Sequence, residues 1–129
     1  MFNKLFGKKE KEILVLSPIS GQCVSVKKVN DPTFSEEILG KGVAIIPNSN
    51  KVVSPISGKI DNMFETGHAV SIISDEGVEL IIHVGLDTVT LKGKFFVKHV
   101  KTGDYVKPGD LLIEFDRDEI IKAGYDVIT

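Results

Sequence analysis

Two histidines carry the pattern in this sequence that most clearly invites chemistry. His83 closes the apolar run Val78-Glu79-Leu80-Ile81-Ile82-His83-Val84 and is followed by Gly85. His68 follows Thr66-Gly67 and enters a second run, 69–73. With a period of two, Leu80, Ile82 and Val84 share one face, and Glu79, Ile81 and His83 share the other. The first set is wholly apolar, so it faces the core and His83 stands on the outer face near the strand end. The histidines lie 15 positions apart, with Ser74-Asp75-Glu76-Gly77 between the runs as a turn. That spacing suits neighbouring strands in which the imidazoles could meet, although register is not fixed by sequence.

A neutral imidazole keeps a nitrogen lone pair near pH 7 and can attack phosphorus. A second imidazole can donate a hydrogen bond to the phosphoryl oxygens. Phosphoryl transfer needs mainly positioning and charge stabilisation, so few groups suffice. Zinc is the competing use, but two imidazoles fall short of a zinc site. His99 has no glycine neighbour and reads as structural or solvent-facing. Cys23 reads as a small core side chain. No Ser-His-Asp order stands out, and the glycine-rich loops match neither phosphate-binding nor dinucleotide fingerprints.

The elements that must place these histidines read as short strands. Apolar, β-branched runs bounded by turn residues fall at 13–16, 23–29, 43–46, 52–54, 59–64, 69–73, 78–84, 88–91, 95–100 and 111–115. Residues 35–39 could make a helical turn, and 116–123 read as a short helix. The expectation is an all-β fold, an antiparallel sandwich or partly closed barrel with a short C-terminal helix. The 129 residues suit one domain, and 42% apolar with 26% charged residues is ordinary for a globular chain. Sixteen basic and 18 acidic residues leave a net charge of −2, which argues against nucleic acid as a partner. One cysteine excludes an internal disulfide. No signal peptide or spanning run is visible, so a soluble protein of the cytoplasm is expected. Residues 1–12 form a separate basic lead in which Phe2, Leu5 and Phe6 alternate with lysines, suited to weak membrane-surface contact or to a solvated terminus.

The sequence also echoes itself. Ser17-Pro18-Ile19-Ser20-Gly21 recurs as Ser54-Pro55-Ile56-Ser57-Gly58, 37 positions on. Gly40-x-x-Val43-Ala44-Ile45-Ile46 is followed by Gly67-x-x-Val70-Ser71-Ile72-Ile73. Two copies of one β unit, with a loop inserted in the first, account for both echoes and point to a pseudo-duplicated single sandwich.

The run Thr66-Gly67-His68-Ala69, linked to His83-Val84-Gly85-Leu86-Asp87-Thr88-Val89, resembles the glucose-type IIA family of the bacterial phosphoenolpyruvate:sugar phosphotransferase system. Leu91-Lys92-Gly93, Gly103-x-x-Val106, Gly109-Asp110 and Phe115-Asp116 fit as well. Upstream, Pro18-x-x-Gly21, Asp31-x-x-Phe34, Gly40-x-Gly42 and Pro55-x-x-Gly58 also fit, so the resemblance covers 13–129.

The resemblance implies a phosphotransferase component. His83 would accept a phosphoryl group on Nε2 from the phosphocarrier HPr and pass it to a IIB domain of a sugar permease. His68 would steady that group, Thr66 would orient His68, and the carbonyl of Gly85 would hold Nδ1 of His83. Phe34, Ile38, Leu39, Phe64, Ile81 and Val89 would form an apolar docking surface with Asp31 and Asp87 as its acidic rim. No cofactor is required, although His68 and His83 could bridge a zinc ion with a partner. Regulated permeases or kinases are further partners to expect, and a purely regulatory docking module of the same fold is the alternative. Family members continue past the position of Thr129, so the domain reads as truncated or as having an unpaired sheet edge. A lysostaphin-type zinc peptidase needs His-x-His where this chain has His83-Val84-Gly85. A biotinyl or lipoyl carrier needs a lysine context that is missing here.

Overall fold

A computed structural model of the protein describes residues 12–129. The basic lead at 1–12 and its membrane contact therefore fall, but for Glu12, outside the described residues. Nine strands dominate: β1 (Gly21–Ser25), β2 (Val43–Pro47), β3 (Lys51–Val53), β4 (Gly58–Met63), β5 (Ala69–Ser74), β6 (Glu79–His83), β7 (Phe96–Lys98), β8 (Tyr105–Val106) and β9 (Leu111–Phe115). Two short helices join them, α1 (Pro32–Ser35) and α2 (Arg117–Lys122). All strand pairs are antiparallel, in sheets ordered β1-β2, β3-β9-β7 and β6-β5-β4-β8. The all-β expectation holds. The core between the sheets includes Val52, Ile60, Ile72, Leu112, Ile113 and Ile120, each almost fully buried. Burial of such side chains stabilises the fold by about 1.5–3 kcal/mol apiece.

The echo is built into the hydrogen bonding. Leu16 N donates to Pro55 O at 2.9 Å, and Val53 N donates to Pro18 O at 2.8 Å. Since 16 + 37 = 53 and 18 + 37 = 55, each bond maps onto the other with the copies exchanged, as a local two-fold axis requires. In both copies the serine hydroxyl donates to the carbonyl two residues on, Ser17 to Ile19 and Ser54 to Ile56, each at 2.7 Å. Each closing glycine then starts a strand pressed against its partner. Gln22 pairs with Ile46 and Lys59 with Ile73, which are corresponding positions of the two echoed elements.

Several local expectations are corrected. Residues 13–16 are not a strand; Leu16 makes the single backbone bond to Pro55. The run 23–29 starts earlier, at Gly21, and stops at Ser25, whose hydroxyl accepts from Lys27 N and caps a 3-10 turn over Val26–Lys28. The helical turn expected at 35–39 lies at Pro32–Ser35, because Asp31 caps it and Pro32 supplies the first helical φ. Thr88–Leu91 is a 3-10 turn and not a strand, entered through Asp87 at φ 59°. Cys23 is exposed on β1 and is no core residue, because β1 belongs to a two-stranded sheet and pairs only with β2. His99 bonds Glu114 at 2.8 Å near the surface, as a structural residue would.

At the C-terminal end, β2 is not left open at its centre. Ile45 and Thr129 exchange both backbone bonds, at 2.7 and 2.9 Å. The same segment runs on its other side against the loop after β6, where it meets the site described below.

A methyl group on Gly58 would sit 2.3 Å from Ile73 O and 2.7 Å from Ser74 Cα, both rigid backbone. Gly58→Ala is expected to destabilise the protein by about 2–4 kcal/mol in urea unfolding. Gly42 has open space and no positive φ, so Gly42→Ala should change stability by no more than about 0.5 kcal/mol.

Candidate functional site

The β5–β6 hairpin brings the two histidines together. Gly77 N donates to Ser74 O and Ser74 N to Val78 O, which closes the turn between the strands. Ala69 then pairs with His83, and Val84 N donates to His68 O at 2.8 Å. His68 precedes β5, directly after Gly67 at φ 72°, and the imidazoles meet with ring centroids 4.9 Å apart and planes at 84°. Leu80 is half-buried and Ile82 and Val84 are buried, while Glu79 and Ile81 are exposed, so the alternation read from sequence is the one observed.

Both rings are held through Nδ1. His83 Nδ1 bonds Gly85 O at 2.8 Å, and His68 Nδ1 bonds the hydroxyl of Thr66. Among the described residues, no hydrogen bond engages either Nε2. A carbonyl can only accept, so the neutral His83 carries its proton on Nδ1 and its lone pair on Nε2. When the Thr66 hydroxyl donates to His68 Nδ1, His68 carries its proton on Nε2 and becomes a donor toward its neighbour.

Burial sets the charge state. His68 is only 4% exposed. Desolvation, followed by repulsion from His83, pulls its pKa from 6.5 to about 4. His83 is also lowered by burial, but the Gly85 carbonyl and the carboxylates of Asp31 and Asp87 oppose that shift. Both imidazoles are therefore neutral at pH 7, and the charged form of His83 has support that His68 lacks.

Two aromatic rings wall the pair. Phe34 lies 4.9 Å from His83 by ring centroid, and Phe64 lies 5.5 Å from His68, edge to face. Ile38 and Leu39 are 67% and 61% exposed, and Ile81 and Val89 nearly half exposed. Asp87 is exposed and Asp31 half-buried. Every residue named for the docking surface is thus at or near the surface, and six of the eight are apolar. A groove of about 720 Å³ opens beside His83 between β1, β2 and β6, lined largely by apolar side chains such as Val43, Ile45 and Leu80.

Two features escaped the sequence reading. Asp31, expected as a rim charge, is also the N-cap of α1, accepting from Thr33 N at 3.0 Å, so its carboxylate has a fixed position near His83. The segment 126–128 holds the loop after β6: Gly85 N donates to Ile128 O at 2.9 Å and Leu86 N to Asp126 O at 3.0 Å. Gly85 is forced by its surroundings, with φ 76° and a Cβ position only 2.8 Å from Asp126 O. The Asp-Pro pair at 31–32 was a legible cap signal; the contact with 126–128 had none, since nothing in the sequence pairs those positions.

Among the described residues, no three His, Cys, Asp or Glu side chains cluster as a metal site, and no helix is long and apolar enough to cross a membrane.

Comparison with known proteins gives consistent relatives. The family model for the phosphoenolpyruvate-dependent sugar phosphotransferase system, EIIA 1, matches residues 13–129. A glucose-specific EIIA component of Haemophilus influenzae is 50% identical over the whole chain, which spans 80% of that relative. A glucose-specific EIIA component of Staphylococcus epidermidis is 44% identical over the same extent. A beta-glucoside-specific EIIBCA component of Bacillus subtilis is 49% identical over 90% of the chain, which spans only 19% of that larger protein. Among solved structures, the glucose permease IIA of Mycoplasma capricolum superposes with a TM-score of 0.88 at 37% identity, covering 93% of this chain and 79% of that one.

Because His68 has a pKa near 4 when folded and near 6.5 when unfolded, the unfolded chain binds more protons between those values. Stability is expected to be fully present above about pH 6.5 and to fall as pH drops toward 4. Imidazole NMR titration should place His68 near 4, and His68→Gln should flatten the loss of stability in that window. A His68 midpoint near 6.5 would contradict the burial argument.

Proposed function

We propose that His83 is the phosphoryl acceptor of this chain, which belongs to the phosphoenolpyruvate-dependent sugar phosphotransferase system EIIA 1 family. As a family member it is a phosphotransferase component of sugar uptake, and a relative in which EIIA is joined to EIIB and EIIC supports a IIB domain as recipient. The observation that carries the residue assignment is the imidazole pair, both rings held at Nδ1 with Nε2 left free, beside an exposed apolar surface.

The donor in this reading is the phosphorylated carrier HPr, and the exchange takes place in the cytoplasm. The Nε2 lone pair of His83 forms a bond to phosphorus as the N–P bond of the donor imidazole breaks, and the leaving imidazole keeps the electron pair. The Nδ1 proton stays in place, so positive charge develops on the His83 ring. The Gly85 carbonyl and the carboxylates of Asp31 and Asp87 stabilise that charge. His68, neutral and oriented by Thr66, donates from Nε2 to a phosphoryl oxygen. Transfer to the IIB domain repeats the displacement in the outward direction. Phe34, Ile38, Leu39, Phe64, Ile81 and Val89 supply the apolar contact for both partners, and Asp31 and Asp87 favour basic surfaces on them.

No cofactor enters this chemistry. With His68 in its other tautomer, its Nδ1 proton donated to the Thr66 hydroxyl, the two Nε2 atoms would supply half of a tetrahedral zinc site, whose remaining ligands would come from a partner.

Intact-mass spectrometry after incubation with phosphoenolpyruvate, enzyme I and HPr should show an acid-labile gain of one phosphoryl group. His83→Gln should abolish the gain. His68→Gln keeps the acceptor but loses the neighbouring donor, so its gain should be slower by about 10²-fold. No gain in the folded wild-type protein, or a full gain in His83→Gln, would overturn the assignment.

A further inference from the structure

The loop after His83 holds one buried hydroxyl that the relay chemistry does not use. Thr88 is fully buried, and its Oγ1 donates to the carbonyl of Val84. Val84 N in turn donates to His68 O. A Cβ on Gly85 would come within 2.6 Å of Thr88 Cγ2, so the Thr88 methyl occupies the space that a side chain at 85 would need. The chain doubles back to reach this position through two residues of positive φ, Gly85 at 76° and Asp87 at 59°. Asp87 makes no side-chain cap bond in that turn. Its carboxylate is thereby left to act on His83.

We infer that Thr88 is a positioning residue for His83: its hydroxyl holds the Val84–Gly85 turn so that the Gly85 carbonyl stays on Nδ1 and Nε2 remains the free nitrogen. The hydroxyl ties down the peptide before Gly85, and the methyl fills space beside Gly85. Ile128 O holds Gly85 N from the other side. With the hydroxyl removed, the Val84 carbonyl loses its buried donor and the turn can relax toward other partners. The hold on the His83 tautomer weakens with it. The consequence for rate rests on the reading of His83 as acceptor; the consequence for ring geometry does not.

Thr88→Val removes the hydroxyl and keeps the shape, while Thr88→Ser keeps the hydroxyl and removes the methyl. Nitrogen-15 imidazole NMR and the rate of phosphoryl gain from HPr are read on both. In Thr88→Val the Nδ1 and Nε2 shifts of His83 should move toward each other, its titration midpoint should change, and phosphoryl gain should slow by about ten-fold or more. In Thr88→Ser the wild-type tautomer should persist, with a rate within about two-fold of wild type. Unchanged His83 shifts in a folded Thr88→Val protein would overturn the inference, leaving Thr88 a stability residue only. So would a Thr88→Ser protein as disturbed as Thr88→Val. If Thr88→Val does not fold, Thr88→Ala against Thr88→Ser makes the same comparison without the methyl. A wild-type protein that takes no phosphoryl group would sink the acceptor reading, while the nitrogen shifts still decide the role of Thr88.

Discussion

The Gly85 peptide is the constraint on which the site depends. Its carbonyl, that of Gly85, accepts from His83 Nδ1, and its N–H, that of Leu86, donates to Asp126 O, so one peptide plane links the ring to a segment more than 40 residues further along the chain. A ring held only by rotamer preference could turn either nitrogen outward. A ring bonded to a fixed carbonyl presents Nε2, and the identity of the free nitrogen follows from backbone geometry. That geometry in turn needs a residue without a side chain at 85, because the φ is positive and the space is already filled.

Charge at the site follows from a balance of burial and counter-charge. Two imidazoles with centroids 4.9 Å apart cannot both be positively charged without repulsion, and burial disfavours either charge. Burial and repulsion from His83 keep His68 a neutral hydrogen-bonding group. His83 has the Gly85 carbonyl, Asp31 and Asp87 beside it. In the proposed relay this asymmetry divides the labour between two chemically identical side chains. One ring can tolerate positive charge when a group is added to it, and the other serves as donor.

The duplicated scaffold explains why this arrangement is rigid. The two echoed turns bond to each other with exchanged partners, and each launches a hairpin from a glycine pressed against the next strand. The second hairpin continues into β6 and its histidine. The first hairpin carries β2, which receives Thr129 on its free edge. The segment that clamps Gly85 is therefore itself anchored on the other copy, and the site sits where the two halves of the duplication are joined.

By itself the sequence determined the fold class, the echo, the turn between β5 and β6, the two histidines and the outer face for His83. These are local properties: β-branched alternation, turn residues and repeated motifs act over a few positions, and physics of that range is written in the order of residues. The bonds of Thr66 and Gly85 to the two rings and the exposure of Ile38 were legible only through the family resemblance, because nothing local separates an exposed Ile38 from a core isoleucine. Where strands were misread, at 13–16 and 88–91, a short apolar run had the right composition but lacked a partner or was overruled by the positive φ of Asp87. Cys23 was misplaced for the same kind of reason: burial depends on which sheet covers a strand. Only the tertiary structure decided the meeting of the imidazoles, the cap that fixes Asp31, the hold of 126–128 on Gly85 and the burial of Thr88. Each is a contact between separate parts of the fold, or depends on one, and its energy appears only after the chain has closed.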